Sequence, residues 1–328
     1  MKSRTSPFSM RKFVSVEQNA PPGLHQAGTE KRGEIKMRYM EKHPMIMVVI
    51  GLLGVSLSSI FVRLADGPSV VTAACRLLWT VLLLTPVALG TKSIREEIFR
   101  AEKKSVLLCI LSGICLAAHF TSWFESLKHT SVASSTAIVC TEVIWVSIGF
   151  CLFMKGKMNW KVILCIAVMV GGSMLIAFSD SMTGQNQLYG DFLAVVGAVS
   201  VAGYTLIGKE MRKSMTTTAY TYIVYVTCAL VLVGAVLLQG YGVSDFSIRT
   251  VGAGFFLGVV STILGHSVFS WCLKYFSPSF VSGVRLLEPV IASVVAVFLF
   301  KEIPAVMQVL GGVIVLLGVF AYSKYEQE

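Results

Sequence analysis

Ten apolar runs parted by short polar connections leave this chain few folds to adopt. A helix needs about 20 predominantly apolar residues to cross a ~30 Å hydrocarbon layer. The runs that approach or exceed that length are 45–64, 69–89, 105–127, 131–154, 162–178, 190–208, 218–239, 250–273, 278–300 and 304–322. Within lipid each backbone N–H and C=O must find its partner inside the segment, so these runs are expected to be helices. Connections of a few residues force neighbours into antiparallel hairpins. The expected fold class is an all-α integral membrane protein with ten transmembrane helices.

Charge placement supports that reading. Only 14% of residues are charged and 55% are apolar, with a mean hydropathy of +0.73. The formal charge of +10 does not form a basic surface for nucleic acid, because Lys and Arg fall almost entirely between the apolar runs. With the N-terminus inside, 22 of the 28 lie on the cytoplasmic side and four on the other, which predicts that both termini face the cytoplasm of a cell with a multi-pass protein in its plasma membrane. Anionic lipid head groups are natural neighbours of such segments. Residues 1–44 are polar and contain Pro21-Pro22-Gly23, so they read as a disordered cytoplasmic tail, with Met37 and Met40 as alternative starts.

Several chemistries find no motif. The eight cysteines sit in apolar runs without a CxxC pair or a metal-ligand spacing, and the chain has no Walker A, HExxH or GxSxG sequence. Neither enzyme activity, cofactor nor metal is expected.

Sliding the chain by 146 positions exposes an internal repeat. Lys128 falls on Lys274, Glu142 on Glu288, Gly51 on Gly197 and Gly172 on Gly318, without a gap. Five helices is an odd number, so the second unit enters from the opposite side: a 5+5 inverted-topology repeat, with units at 45–179 and 190–323.

The most unusual run carries Arg285 and Glu288 one turn apart, followed by Pro289. Pro289 has no N–H, so the carbonyl of Arg285 loses its helical partner and must find a hydroxyl, a water or a ligand. Intramembrane charges of this kind mark pathways. Arg285 could hold a solute carboxylate in its fork, or simply pair with Glu288 to permit folding. Glu142 is the repeat counterpart of Glu288, suited to proton exchange or to neutralising Arg285, with Trp145 at i+3 on the same expected face. Against that pair of glutamates, Arg285 faces Val139 and Pro289 faces Val143 in the first half, so the carboxylate is shared between halves while the arginine and the break are not.

Other polar groups lie at depth. Arg76 could serve a cavity or snorkel toward head groups, the structural role being favoured. His119 and Trp123 share one face of the third helix, where Trp123 could stack on a ligand. His266, with Ser270 at i+4, suits a proton relay or an interhelical hydrogen bond. Tyr204 is a further aromatic candidate for solute contact. Glu125, Lys128 and His129 read as a solvated rim. Gly171-Gly172 and Gly311-Gly312 form small-residue surfaces that pack helices within one protomer or across a homodimer.

Ten spans in two inverted sets of five, with LEPVIA at 287–292 and KE at 301–302, resemble the drug/metabolite transporter superfamily, in particular its group with two EamA domains. Glu302 matches the acidic residue that follows the fourth helix of a repeat in that family, where the first half has Gly156. The resemblance implies alternating access by secondary active transport of small metabolites such as amino acids. It also implies a central cavity lined by the first, third, fourth, sixth, eighth and ninth helices. The expected function is therefore a carrier of an amino acid or related zwitterion, coupled to protons through Glu288, Glu142 and His266. Two carrier alternatives are an exporter of hydrophobic cations and a nucleotide-sugar exchanger. A non-transporting sensor or scaffold is the alternative of another class.

Overall fold

The computed structural model describes residues 41–130, 132–178, 187–300 and 305–325. The helices belong to the compact unit Met47–Glu328, apart from the first residues of α1, which fall in the unit Met1–Ile46. Residues 1–40 of the tail expected at 1–44, Lys301 and Glu302 lie outside the described residues.

The described residues are mostly helical, with no strand among them, and ten helices are long and apolar enough to span a bilayer. In order they are α1 (Pro44–Ser56 and Ser58–Leu64), α2 (Ser69–Gly90), α3 (Lys103–His129), α4 (Val132–Cys140 and Glu142–Met154), α5 (Trp160–Phe178), α6 (Gln187–Met211), α7 (Thr217–Leu238), α8 (Ile248–Cys272), α9 (Pro278–Val284, then Arg285–Leu287 and Glu288–Phe300) and α10 (Val306–Tyr325). A short helix, Lys92–Phe99, joins α2 to α3.

Local chemistry fixes these boundaries. Thr216, Ser247 and Ser277 cap α7, α8 and α9 by accepting from the backbone N–H three residues on. Pro278 occupies the first turn of α9, where its missing N–H costs nothing. Hydroxyls inside the spans close on their own helix: Ser56, Thr80, Thr85, Thr221 and Ser282 each donate to the carbonyl four residues back. A polar side chain satisfied this way crosses lipid at little cost.

The packing follows the repeat. α2 packs on its counterpart α7, α5 on its counterpart α10, and α3 lies along α6 as α1 lies against α8. Two of the glycines meet within the chain. A Cβ built on Gly311 would sit 2.6 Å from the carbonyl oxygen of Gly172, and one on Gly172 would sit 2.9 Å from that of Gly311. Gly172 and Gly311 thus bring the α5 and α10 backbones together. α4 and α9 cross at the centre: the first part of α9 packs on the second part of α4, and the second part of α9 on the first part of α4. This antiparallel crossing sets the two breaks side by side and is the inverted repeat made visible.

α8 departs from regular geometry. Residues Leu257–Ser267 are π-helical, with the hydroxyls of Thr262 and Ser267 donating to carbonyls five residues back. Nothing in the sequence pattern announces this widened stretch, which is a form often met at functional sites.

Candidate functional site

Both central helices break immediately before their glutamate. In α9, Arg285–Leu287 forms one 3-10 turn, and the carbonyl that Pro289 leaves without a helical partner accepts from the Cys140 thiol at 3.3 Å. In α4, Thr141 separates the two parts, and both its N–H and its hydroxyl donate to the carbonyl of Ile138, at 3.0 and 2.6 Å. The expectation that the break belongs to the second half alone is therefore corrected. Proline makes it in α9, whereas local hydroxyl bonding and the tight turn from Thr141 to Ile144 make it in α4.

The breaks give each carboxylate a helix N-terminus. Glu142 and Glu288 open the second parts of α4 and α9, where the helix dipole favours negative charge. Arg285 lies between them: its Nη1 donates to both oxygens of Glu142 at 2.8 Å, and its Nε donates to Glu288 Oε1 at 2.6 Å. All three side chains are buried. Two carboxylates and one guanidinium sum to −1 when every group is ionised, so one proton or one cationic solute group completes the balance. The fork of Arg285 is thus engaged by the glutamates in this conformation, and Nη2 takes no part in those bonds.

A cavity of about 10 Å³, the space of about one water, lies beside this triad. Arg285 and Glu288 line it from α9, Val139 from α4, His119 and Trp123 from α3, Val55 and Ser58 from α1, and His266 from α8. His119 and Trp123 stack in near-parallel planes with centroids 5.9 Å apart. The carbonyl of Gly197 accepts from His119 Nδ1 at 3.0 Å, which leaves Nε2 as the acceptor nitrogen of a neutral ring. A Cβ on Gly197 would meet Ser122 and Val139 at 3.2 Å, so glycine permits this approach of α6.

Tyr204 sits one layer back, sharing a 2.8 Å hydrogen bond with Ser270 and packing edge-on to His266 at 5.9 Å. His266 also contacts Phe120 and His119 edge-on. Ser270 thus bonds Tyr204, while His266 lies among rings. Arg76 does not snorkel: it is fully buried, its guanidinium 4.0 Å over the Phe120 ring, with Nε donating to Thr262 and Nη1 to Ser58. The π-helical stretch supplies Thr262, and the break of α1 at Leu57 supplies Ser58.

Trp145 is the candidate that the fold does not bring to this place. The buried stripe of α4 runs through Glu142, Val143, Val146, Ser147 and Gly149, and Trp145 lies beyond its edge, 41% exposed with Ile144 and Ile148. Spacing of i+3 displaces a side chain about 60° around a helix, enough to cross from the core face to the outer one. Glu125, Lys128 and His129, read from the sequence as a solvated rim, are partly exposed at the end of α3, where Glu125 pairs with Lys128 at 3.5 Å and lies 3.2 Å from His129 Nε2. Ser58 was legible only as the repeat counterpart of Tyr204.

Two inverted sets of five spanning helices, closing over a buried, charge-lined cavity, define a two-repeat membrane transporter fold. The EamA-like transporter family matches this chain twice, over residues 43–178 and 188–324, and the chain belongs to that family. It is similar to the uncharacterized transporter YwfM of Bacillus subtilis (strain 168), at 26% identity over 66% of this chain and 73% of that protein. A pseudopaline exporter of Pseudomonas aeruginosa shares 22% identity over 72% of this chain and 83% of its own. A probable amino-acid metabolite efflux pump of Escherichia coli (strain K12) shares 24% over 68% and 79%. A crystal structure superposes with a TM-score of 0.71 at 11% identity, covering 87% of this chain and 98% of the other, which shows the shared fold.

Proposed function

We propose that this protein is a secondary carrier that moves a small organic solute, an amino acid or related zwitterion, across the plasma membrane by alternating access with proton coupling. The observation that carries this reading is the buried triad at the α4–α9 crossing, whose surplus carboxylate borders the cavity. A proton or an ammonium group neutralises that surplus equally well. Competition between them for Glu288 and Glu142 couples solute movement to a proton gradient. The aromatic wall of His119, Trp123 and His266 shapes the solute's apolar part, with Tyr204 behind it. Relatives bearing the names of a pseudopaline exporter and an amino-acid metabolite efflux pump support metabolite cargo. The excess of Lys and Arg on one set of connections supports cytoplasmic termini.

Proteoliposomes carrying an imposed pH gradient test this. Wild type should accumulate at least one member of an amino-acid panel, and Glu288→Gln should lose gradient-driven accumulation while retaining solute exchange. No flux of any zwitterion, or undiminished accumulation by Glu288→Gln, would overturn the reading.

A further inference from the structure

Arg76 is the one buried cation of the core whose described partners include no carboxylate. Two hydroxyls and an aromatic face hold it, and its Nη2 has no hydrogen-bond partner although it is inaccessible to solvent. The indole N–H of Trp123, on the cavity wall, is likewise buried without an acceptor. Ser58 joins the two places, since it accepts from Arg76 Nη1 at 3.2 Å and lines the same cavity. Arg76 on α2 and Trp123 on α3 thus offer two unsatisfied donors and one positive charge without a carboxylate partner, opposite in sign to the triad of α4 and α9.

Leaving a buried donor without a partner costs free energy that a suitable acceptor restores. We propose that Arg76, with the Trp123 indole, is the corner that recognises the carboxylate of the transported solute, while the triad takes its ammonium group. The assignment rests on the carrier reading above and specifies its substrate class as solutes bearing both charges. Arg285 then serves to hold the two glutamates, and the fork left for the solute carboxylate is that of Arg76. When the solute enters, its carboxylate replaces the Ser58 hydroxyl on Nη1 and reaches the idle Nη2, giving the two-point geometry that guanidinium offers a carboxylate.

Counterflow in proteoliposomes decides this, using L-leucine, L-phenylalanine and L-threonine, each beside its own primary amide. The amide keeps the ammonium and side chain but loses the negative charge. Wild type should favour the acid over the amide. Arg76→Gln should shrink that preference about tenfold or more, the worth of a charge-assisted pair. Trp123→Phe, which keeps the ring and removes the donor, should shrink it about threefold. If wild type moves acid and amide alike, or if Arg76→Gln retains the full preference, the assignment fails while the carrier reading stands. Should Arg76→Gln not reach the membrane folded, an unchanged preference in Trp123→Phe overturns it instead. If wild type moves no zwitterion, neither these acids nor any other of the amino-acid panel, the carrier reading fails and takes this assignment with it.

Discussion

Both carboxylate oxygens of Glu142 accept from Nη1 of Arg285 at 2.8 Å, so a residue of the first repeat neutralises a cation found only in the second. The two halves are tied at one buried point, and the same point borders the cavity.

Removing the cation should cost more than removing either anion. Arg285→Ala leaves Glu142 and Glu288 facing each other in the core, a loss of about 3–5 kcal/mol for an uncompensated buried charge. Glu142→Gln keeps an oxygen for the guanidinium and should cost less. Thermal unfolding of the two variants in one detergent measures the order, and the pair combined should recover part of the loss of Arg285→Ala alone.

Cys140 should be replaceable by serine but not by alanine. Its thiol occupies the carbonyl of Arg285 that Pro289 strands. Cys140→Ala deletes that donor at a cost of about 1 kcal/mol, whereas Cys140→Ser retains one. Unfolding midpoints under identical conditions give the comparison.

Adjacent glycines in α5 should respond in opposite ways. A side chain at Gly172 meets the backbone of Gly311, whereas nothing lies within 4 Å of a Cβ at Gly171. Gly172→Val should cost about 1–3 kcal/mol through overpacking, and Gly171→Ala should be close to neutral. Yield of monodisperse protein and its thermal midpoint report both.

A contact outside the bilayer should depend on acid. Asp66, in the α1–α2 connection, accepts from the hydroxyls of Ser247 and Thr250 at the start of α8. Those hydroxyls, Ser247 foremost, hold its carboxyl below the usual value of 3.8. A depressed carboxyl stabilises the folded form above the unfolded pKa and loses that contribution as pH falls through the folded one. Protection of the α8 N-terminal amides, taken relative to their intrinsic exchange rate at each pH, should therefore be unchanged from neutral pH down to about 4 and fall below it. Asp66→Asn should remove the step.

The sequence by itself determined the ten spans, their pairing into two inverted sets and the burial of Arg285, Glu288 and Glu142, because length, apolarity and charge are local properties that lipid reads directly. It also located Pro289, whose missing N–H is a covalent fact. Tertiary structure alone decided the rest. Thr141 breaks α4 through hydroxyl bonds that many spans make without breaking, so its role depends on α9 crossing beside it. Trp145 faces outward because the core stripe of α4 is set by its neighbours and not by its own spacing. Arg76 meets Ser58 and Thr262 from helices that approach only in the folded bundle, the latter from a π-helical stretch that no side-chain pattern specifies. Which buried charge has a counter-charge and which has only hydroxyls is a property of distances between helices, and those exist only once the chain has packed.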